Sequence, residues 1–212
     1  MRAALTFTIV LSASSFASAQ EQPIDLTPVK KELLDGTRLL LPTANASVDV
    51  PSADWKWMTF SLNSGQNYLC VNSKDHTQIL VAVGHLHGDF TDHQPQSLLD
   101  NARKGMEARK GKLENDKFTW VDLPNAKKTA RVTFVEVEST GQRNLIVIYL
   151  AQTFGEMNLK LQYRGPAKEE PEDIKKLSQS IKPIKAGDAP AKTDAPAPTP
   201  AAPTPVKTDA PK

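Results

Sequence analysis

The sequence predicts an α+β domain, an antiparallel sheet covered by helices, and three observations predict it. Apolar runs of strand length, separated by turn residues, fill residues 46–86 and again 116–163. Between these blocks one long stretch carries helical spacing. A second helical stretch closes the chain's regular part near residue 181. Strands before a helix, strands after it and a final helix favour a sheet with hairpin connections over alternating parallel units.

The elements follow in order. Arg2, the apolar run Ala3–Val10 with Leu11, and the small residues Ala17-Ser18-Ala19 read as a signal peptide over residues 1–19, cut before Gln20. Residues 20–45 form an N-terminal lead-in. Thr27-Pro28 followed by Val29, Leu33, Leu34 and Gly36 reads as a short capped helix or turn, and Leu39-Leu40-Leu41 as a segment packing on the main domain. The domain itself is expected over 46–185, with strands at 46–50, 55–61, 67–72 and 76–86 broken by Pro51, Asn63-Ser64-Gly65 and Asn72-Ser73-Lys74-Asp75. A helix then starts with Thr91 as cap, Gln94 in capping-box position and Pro95 in the first turn. Leu98, Leu99, Ala102 and Met106 share its apolar face, and Gly111 stops it. Further strands are expected at 116–123, 128–138, 143–151 and 155–163, with Gly141 and Gly155 at tight connections. In the last of these, Met157, Leu159, Leu161 and Tyr163 alternate with polar residues. The closing helix begins near Pro171, has acidic residues at its positive end, buries Ile174, Leu177 and Ile181, and ends at Pro183.

Val48-Asp49-Val50-Pro51 leading to Trp55, the mid-chain helix, the hairpin through Gly155 and the closing Ile174-x-x-Leu177-x-x-Ser180-Ile181 together resemble the PsbP-like family, in its non-photosynthetic bacterial branch. The resemblance covers residues 46–185 and rests on pattern. It implies an α/β/α sandwich and a binding or assembly accessory role; it carries over no catalytic set.

Composition limits the function classes. Of 26 basic side chains only Arg2 lies in the leader, so against 24 acidic ones the mature chain has a net charge of about +1. No global field of that size draws nucleic acid or an anionic membrane. After leader cleavage the longest apolar run, Leu145–Ala151, has strand length, well short of the ~20 residues of a membrane helix. Cys70 is the one cysteine, so no internal disulfide closes and the core must hold the fold. Residues 186–212 are different in kind. Seven of these 27 residues are proline, Lys-Thr-Asp-Ala-Pro occurs at 192–196 and 207–211, and Val206 is the one larger aliphatic side chain. Such a segment is expected to be an extended, disordered spacer.

Two constellations carry candidate chemistry. His76, His85, His87 and His93 fall within eighteen residues, interleaved with Asp75, Asp89 and Asp92. His85 and His87 share a strand face, and with His93 and Asp89 they make a candidate site for a divalent transition metal. Against it, the spacing matches no established metal signature, and ordinary strand-end and loop histidines, hydrogen-bonded to carboxylates and water, explain the pattern more simply. Trp55 and Trp57 also share a strand face; open, they would stack on a glycan or small ligand, and closed, they are core. Trp120 is a third ring at unknown distance. Cys70 lies in an apolar strand run and reads as a small buried hydrophobe rather than a nucleophile. Arg103, Lys104, Arg109, Lys110 and Lys112 read as a solvated helix face. Asn45-Ala46-Ser47 matches a glycosylation acceptor, in a chain whose leader and tail have a bacterial character.

No nucleophile elbow, phosphate-binding glycine loop, His-Glu-x-x-His or calcium loop is present, and Glu136 and Glu138 on one strand face are too little for glycosidase chemistry. The sequence therefore predicts an exported, periplasmic or secreted, non-catalytic envelope protein without cofactor, binding or scaffolding a partner protein or small ligand. The metal-binding and glycan-binding readings are its alternatives.

Overall fold

The computed structural model describes residues 26–62, 65–85, 89–153, 157–166 and 168–184. The expected leader at 1–19 and tail at 186–212 lie outside them.

Two antiparallel sheets account for most of the fold. In chain order the strands are β1 (Thr27–Pro28), β2 (Leu34–Asp35), β3 (Arg38–Leu41), β4 (Ala46–Asp49), β5 (Trp55–Leu62), β6 (Gly65–Asn72) and β7 (Gln78–His85). After α1 (His93–Ala108) come β8 (Lys112–Val121), β9 (Lys128–Val137), β10 (Arg143–Gln152) and β11 (Met157–Gly165), then α2 (Glu172–Gln179) and β12 (Lys182–Pro183). The large sheet has the order β1-β5-β6-β7-β11-β10-β9-β8, and the small sheet β12-β4-β3-β2. The β5–β6–β7 meander and the β8–β9–β10–β11 meander meet where β11 pairs β7, so β11 is a central strand.

The main core fills the gap between the two sheets. Trp55 and Trp57, Tyr68 and Cys70, Ile79 and Val81, Leu159 and Leu161, and Val147 and Tyr149 alternate along their strands onto one face of the large sheet. Leu39, Leu41, Ala46 and Val48 of the small sheet and Ile174, Leu177 and Ile181 at the α2 end close over them. On the opposite face α1 lays Leu99 and Ala102 on Val132, Phe134, Ile146 and Ile148. Farther along that face, Phe60, Leu69 and Leu80 form a separate cluster.

This arrangement corrects the expected α/β/α sandwich. One face of the large sheet is covered mainly by a second sheet, with only the short α2 beside it, and α1 covers the other face at its β8–β9 end. The reason lies in residues 34–49. They form short strands that pair with one another and with β12, where Lys182 lies opposite Ser47. Leu39 and Leu41 (each 0% exposed) thus enter the core as strand residues.

The α1 boundaries follow from local chemistry. The Thr91 N–H donates to Gln94 Oε1 (2.8 Å) and the His93 N–H to Thr91 Oγ1 (3.3 Å), a reciprocal cap. At the other end Lys110 takes the left-handed conformation (φ 57°), and the Gly111 N–H donates to Met106 O (2.8 Å). Gly111 is needed for closeness rather than for φ: a Cβ there would meet Met106 Cε and, at 2.7 Å, Val137 O.

Candidate functional site

The small sheet is narrower than the large one, and the polar chemistry gathers where its cover stops. On the covered face, Arg131, Thr133 and Val135 of β9 and Lys117 of β8 lie beyond the small sheet. The segment 168–170 hangs over them and completes a hollow of about 300 Å³. Its floor is Val135, Leu145 and Val147, and Thr133 and Asn115 add polar groups. Asn115 sits in a β8 bulge with a left-handed backbone (φ 55°).

One wall is a closed polar latch. Arg131 Nε donates to Glu170 Oε2 at 2.7 Å, Arg131 Nη2 donates to the same oxygen, and the Tyr149 hydroxyl donates to Glu170 Oε1. Glu170 is 7% exposed and Arg131 26%, so this charge pair is partly desolvated and holds the 168–170 segment to the sheet. Burial first, and the Glu170 carboxylate second, push the Tyr149 hydroxyl up to about 12. With these three groups satisfied by one another, the charges left facing solvent at the hollow are the ammonium groups of Lys117 and Lys168 and the Glu169 carboxylate.

The residues singled out in the sequence fall elsewhere. Trp55 (4% exposed) and Trp57 (7%) are core, and the Trp57 indole donates to Thr37 O at 2.9 Å. Rings held under the small sheet are not an open stacking platform. Cys70 is fully buried, and burial pushes its thiol well above the ordinary range, as the buried-hydrophobe reading requires. Trp120 lies on edge strand β8, on the opposite face. Its indole donates to Asp92 Oδ1 (3.0 Å), Phe90 and Phe118 pack against its edges, and Lys128 Nζ sits 3.9 Å from its ring centroid.

The histidines do not all share one place. His76 occupies the β6–β7 turn with φ 60°, whereas His85 ends the same strand opposite Met157, a strand length of more than about 20 Å away. His93 and Asp89 are exposed at the start of α1, and Asp92 is engaged by Trp120. His87 lies outside the described residues. Among the described residues no three His, Cys, Asp or Glu side chains converge as a metal site would require.

Sequence reasoning missed the latch. Its one signal was Arg131, a lone charge inside the apolar strand Ala130–Val135; Glu170 was read only as part of an acidic helix start. Glu136, read as half of a carboxylate pair, is 1% exposed and bonds Arg164 Nε at 3.0 Å, while Glu138 takes Arg164 Nη2 at 3.1 Å. That is a structural ion-pair network.

No family model matches the chain, and no curated protein matches it either.

Proposed function

We propose that the chain is an exported, non-catalytic binding domain of the cell envelope, and that the hollow under residues 168–170 receives an acidic segment of a partner protein. The observation that carries this reading is the composition of the hollow. Lys117 and Lys168 stand at the rim of an apolar floor with Glu169, an excess of one positive charge, while Arg131, Glu170 and Tyr149 satisfy one another. A carboxylate next to an apolar side chain complements such a place, with charge directing the encounter and the floor supplying contact area.

The test is crosslinking in the native envelope from a photoreactive residue at position 117 or 168, in parallel with Lys117→Glu/Lys168→Glu. The expected result is one recurrent partner in the parent and its loss in the charge-reversed variant. Random neighbours in the parent, or an unchanged partner in the variant, overturn the reading. Fractionation of the same cells checks export separately.

A further inference from the structure

The pentapeptide Lys-Thr-Asp-Ala-Pro stands twice in the tail, at 192–196 and 207–211. Each copy sets a cation and an anion two residues apart and follows them with two small apolar residues. Neither copy has a large apolar side chain with which to build a core, so a repeat of this kind gains by lying on an existing surface.

The hollow beside residues 168–170 has the matching groups. Its rim carries Lys117, Lys168 and Glu169, all exposed, so it offers both signs of charge. Arg131 and Glu170 are committed to each other, which leaves these three charges to meet a ligand. An extended Lys-Thr-Asp puts its two charges on one side about 7 Å apart, so the aspartate can answer the rim lysines while the lysine answers Glu169. Ala-Pro then falls on the floor of Val135, Leu145 and Val147, and proline brings no N–H that an apolar floor would leave unpaired. The tail also starts within reach. Ile184 follows β12, the edge strand of the small sheet, and its N–H donates to Asn45 O. From Glu170 through α2 to Ile184 the gap cannot exceed about 36 Å, because the eight residues of α2 rise only ~1.5 Å each. Asp194 and Asp209 lie ten and 25 residues beyond Ile184, and extended chain of those lengths spans up to about 35 Å and about 85 Å. The second copy thus reaches the hollow with slack, and the first when drawn out.

We propose that this chain's own tail occupies the hollow, with the Lys-Thr-Asp-Ala-Pro repeat as an intramolecular ligand that a partner's acidic segment must displace. The inference rests on the reading of the hollow as a place for a carboxylate beside an apolar side chain. The ion contacts are exposed and individually weak. Occupancy comes from tethering, which holds the repeat at an effective concentration on the order of millimolar. Two copies on one tether raise that concentration without any further contact. The partner's apparent affinity is lowered by the fraction of hollows already filled.

Zero-length carbodiimide coupling of the dilute, purified full chain tests this, because it joins a lysine amine to an aspartate only where the two touch. The expected product is a monomer with amide links from Lys117 or Lys168 to Asp194 or Asp209. These should be at least about fivefold more abundant than links from Lys104, an exposed lysine of α1 on the opposite face. Coupling should fall at least about threefold in roughly 0.5 M salt, which screens exposed charges. It should also fall in Pro196→Ser/Pro211→Ser, which keeps every charge and leaves the domain's unfolding curve unchanged. In the native envelope, Asp194→Asn/Asp209→Asn should raise partner capture at position 117 or 168 at least about twofold. The inference is overturned if the tail couples to Lys104 as readily as to the rim lysines, if the links join separate chains, or if the proline variant couples as the parent does. A partner captured at the hollow with no tail link overturns the tail ligand and keeps the hollow's reading, whereas tail links with no captured partner support the tail ligand and count against the partner.

Discussion

The latch of Arg131, Glu170 and Tyr149 makes a demand on stability that can be worked out from its geometry. Glu170→Met removes a carboxylate that is 7% exposed and leaves the Arg131 guanidinium without its counter-charge. Breaking a buried pair on one side costs about 3–5 kcal/mol. Because Arg131 keeps 26% exposure, water partly replaces the lost partner, and the expected cost falls to about 2–3 kcal/mol. Arg131→Met strands the more buried member, so at neutral pH it should cost more, about 3–4 kcal/mol. The double variant leaves no orphaned charge and should cost far less than the two singles together, a coupling of at least about 2 kcal/mol. Urea unfolding followed by tryptophan fluorescence measures all four proteins. Single costs that add to within about 0.5 kcal/mol would show that the two side chains do not act as a pair, and the account of the hollow's wall would fail with them.

Other consequences are equally direct. Cys70 should resist thiol reagents in the native protein and react once denaturant unfolds it, since it is buried and its thiol is pushed up; rapid native labelling would contradict the core assignment. Cys70, Tyr68 and Tyr149 all have raised folded values, so the unfolded chain gives up these protons first. Their stabilisation is fully present below about pH 9 and is lost as pH rises, Tyr149 acting between about 10 and 12, and denaturant midpoints across that range measure the fall. Lys160 has the opposite sign. Its lowered folded value makes the parent gain stability as pH rises toward the ordinary lysine range, so Lys160→Met should be the more stable protein at neutral pH and should lose that advantage in base. Gly111→Ala should cost about 1–3 kcal/mol in the same unfolding assay, because the new methyl runs into Met106 Cε and the Val137 carbonyl, and backbone cannot step aside.

Local pattern carried the long elements and failed at the short ones. The strands expected at 55–61, 128–138 and 143–151 are observed at Trp55–Leu62, Lys128–Val137 and Arg143–Gln152, since each is long enough for its apolar run and turn signals to register. Near 116 the expectation starts late. β8 begins at Lys112, and its bulge between Glu114 and Lys117 breaks the alternation that would have shown it. The small sheet left almost no trace. Its strands are 2–4 residues long, and β12 finds β4 from 135 residues away. That pairing is held by the tertiary fold, and no window along the chain contains it. The helical cover expected on that face failed for this reason, whereas Leu39 and Leu41 do pack on the main domain as expected, from a strand.

What covers each face of the large sheet was hidden by a different ambiguity. Period-two alternation in Met157–Tyr163 says which residues share a face, and it was right about Leu159, Leu161 and Tyr163. It does not say what the other face meets, because an edge strand beside water and a central strand beside a second apolar cluster can carry the same alternation. Only the sheet order, with β11 joined to β7 on one side and β10 on the other, sets Asn158, Lys160 and Gln162 among apolar neighbours and leaves Asn158 Oδ1 buried without a partner. The tryptophan pair is the converse case. Trp55 and Trp57 face one way as their spacing requires, and whether that way is open was decided by Leu39, Leu41 and Val48, residues of the very sheet the sequence concealed. Face membership is local and legible, whereas cover comes from distant chain. Polar groups that a strand pattern assigns to solvent are therefore the ones to re-examine once sheet order is known.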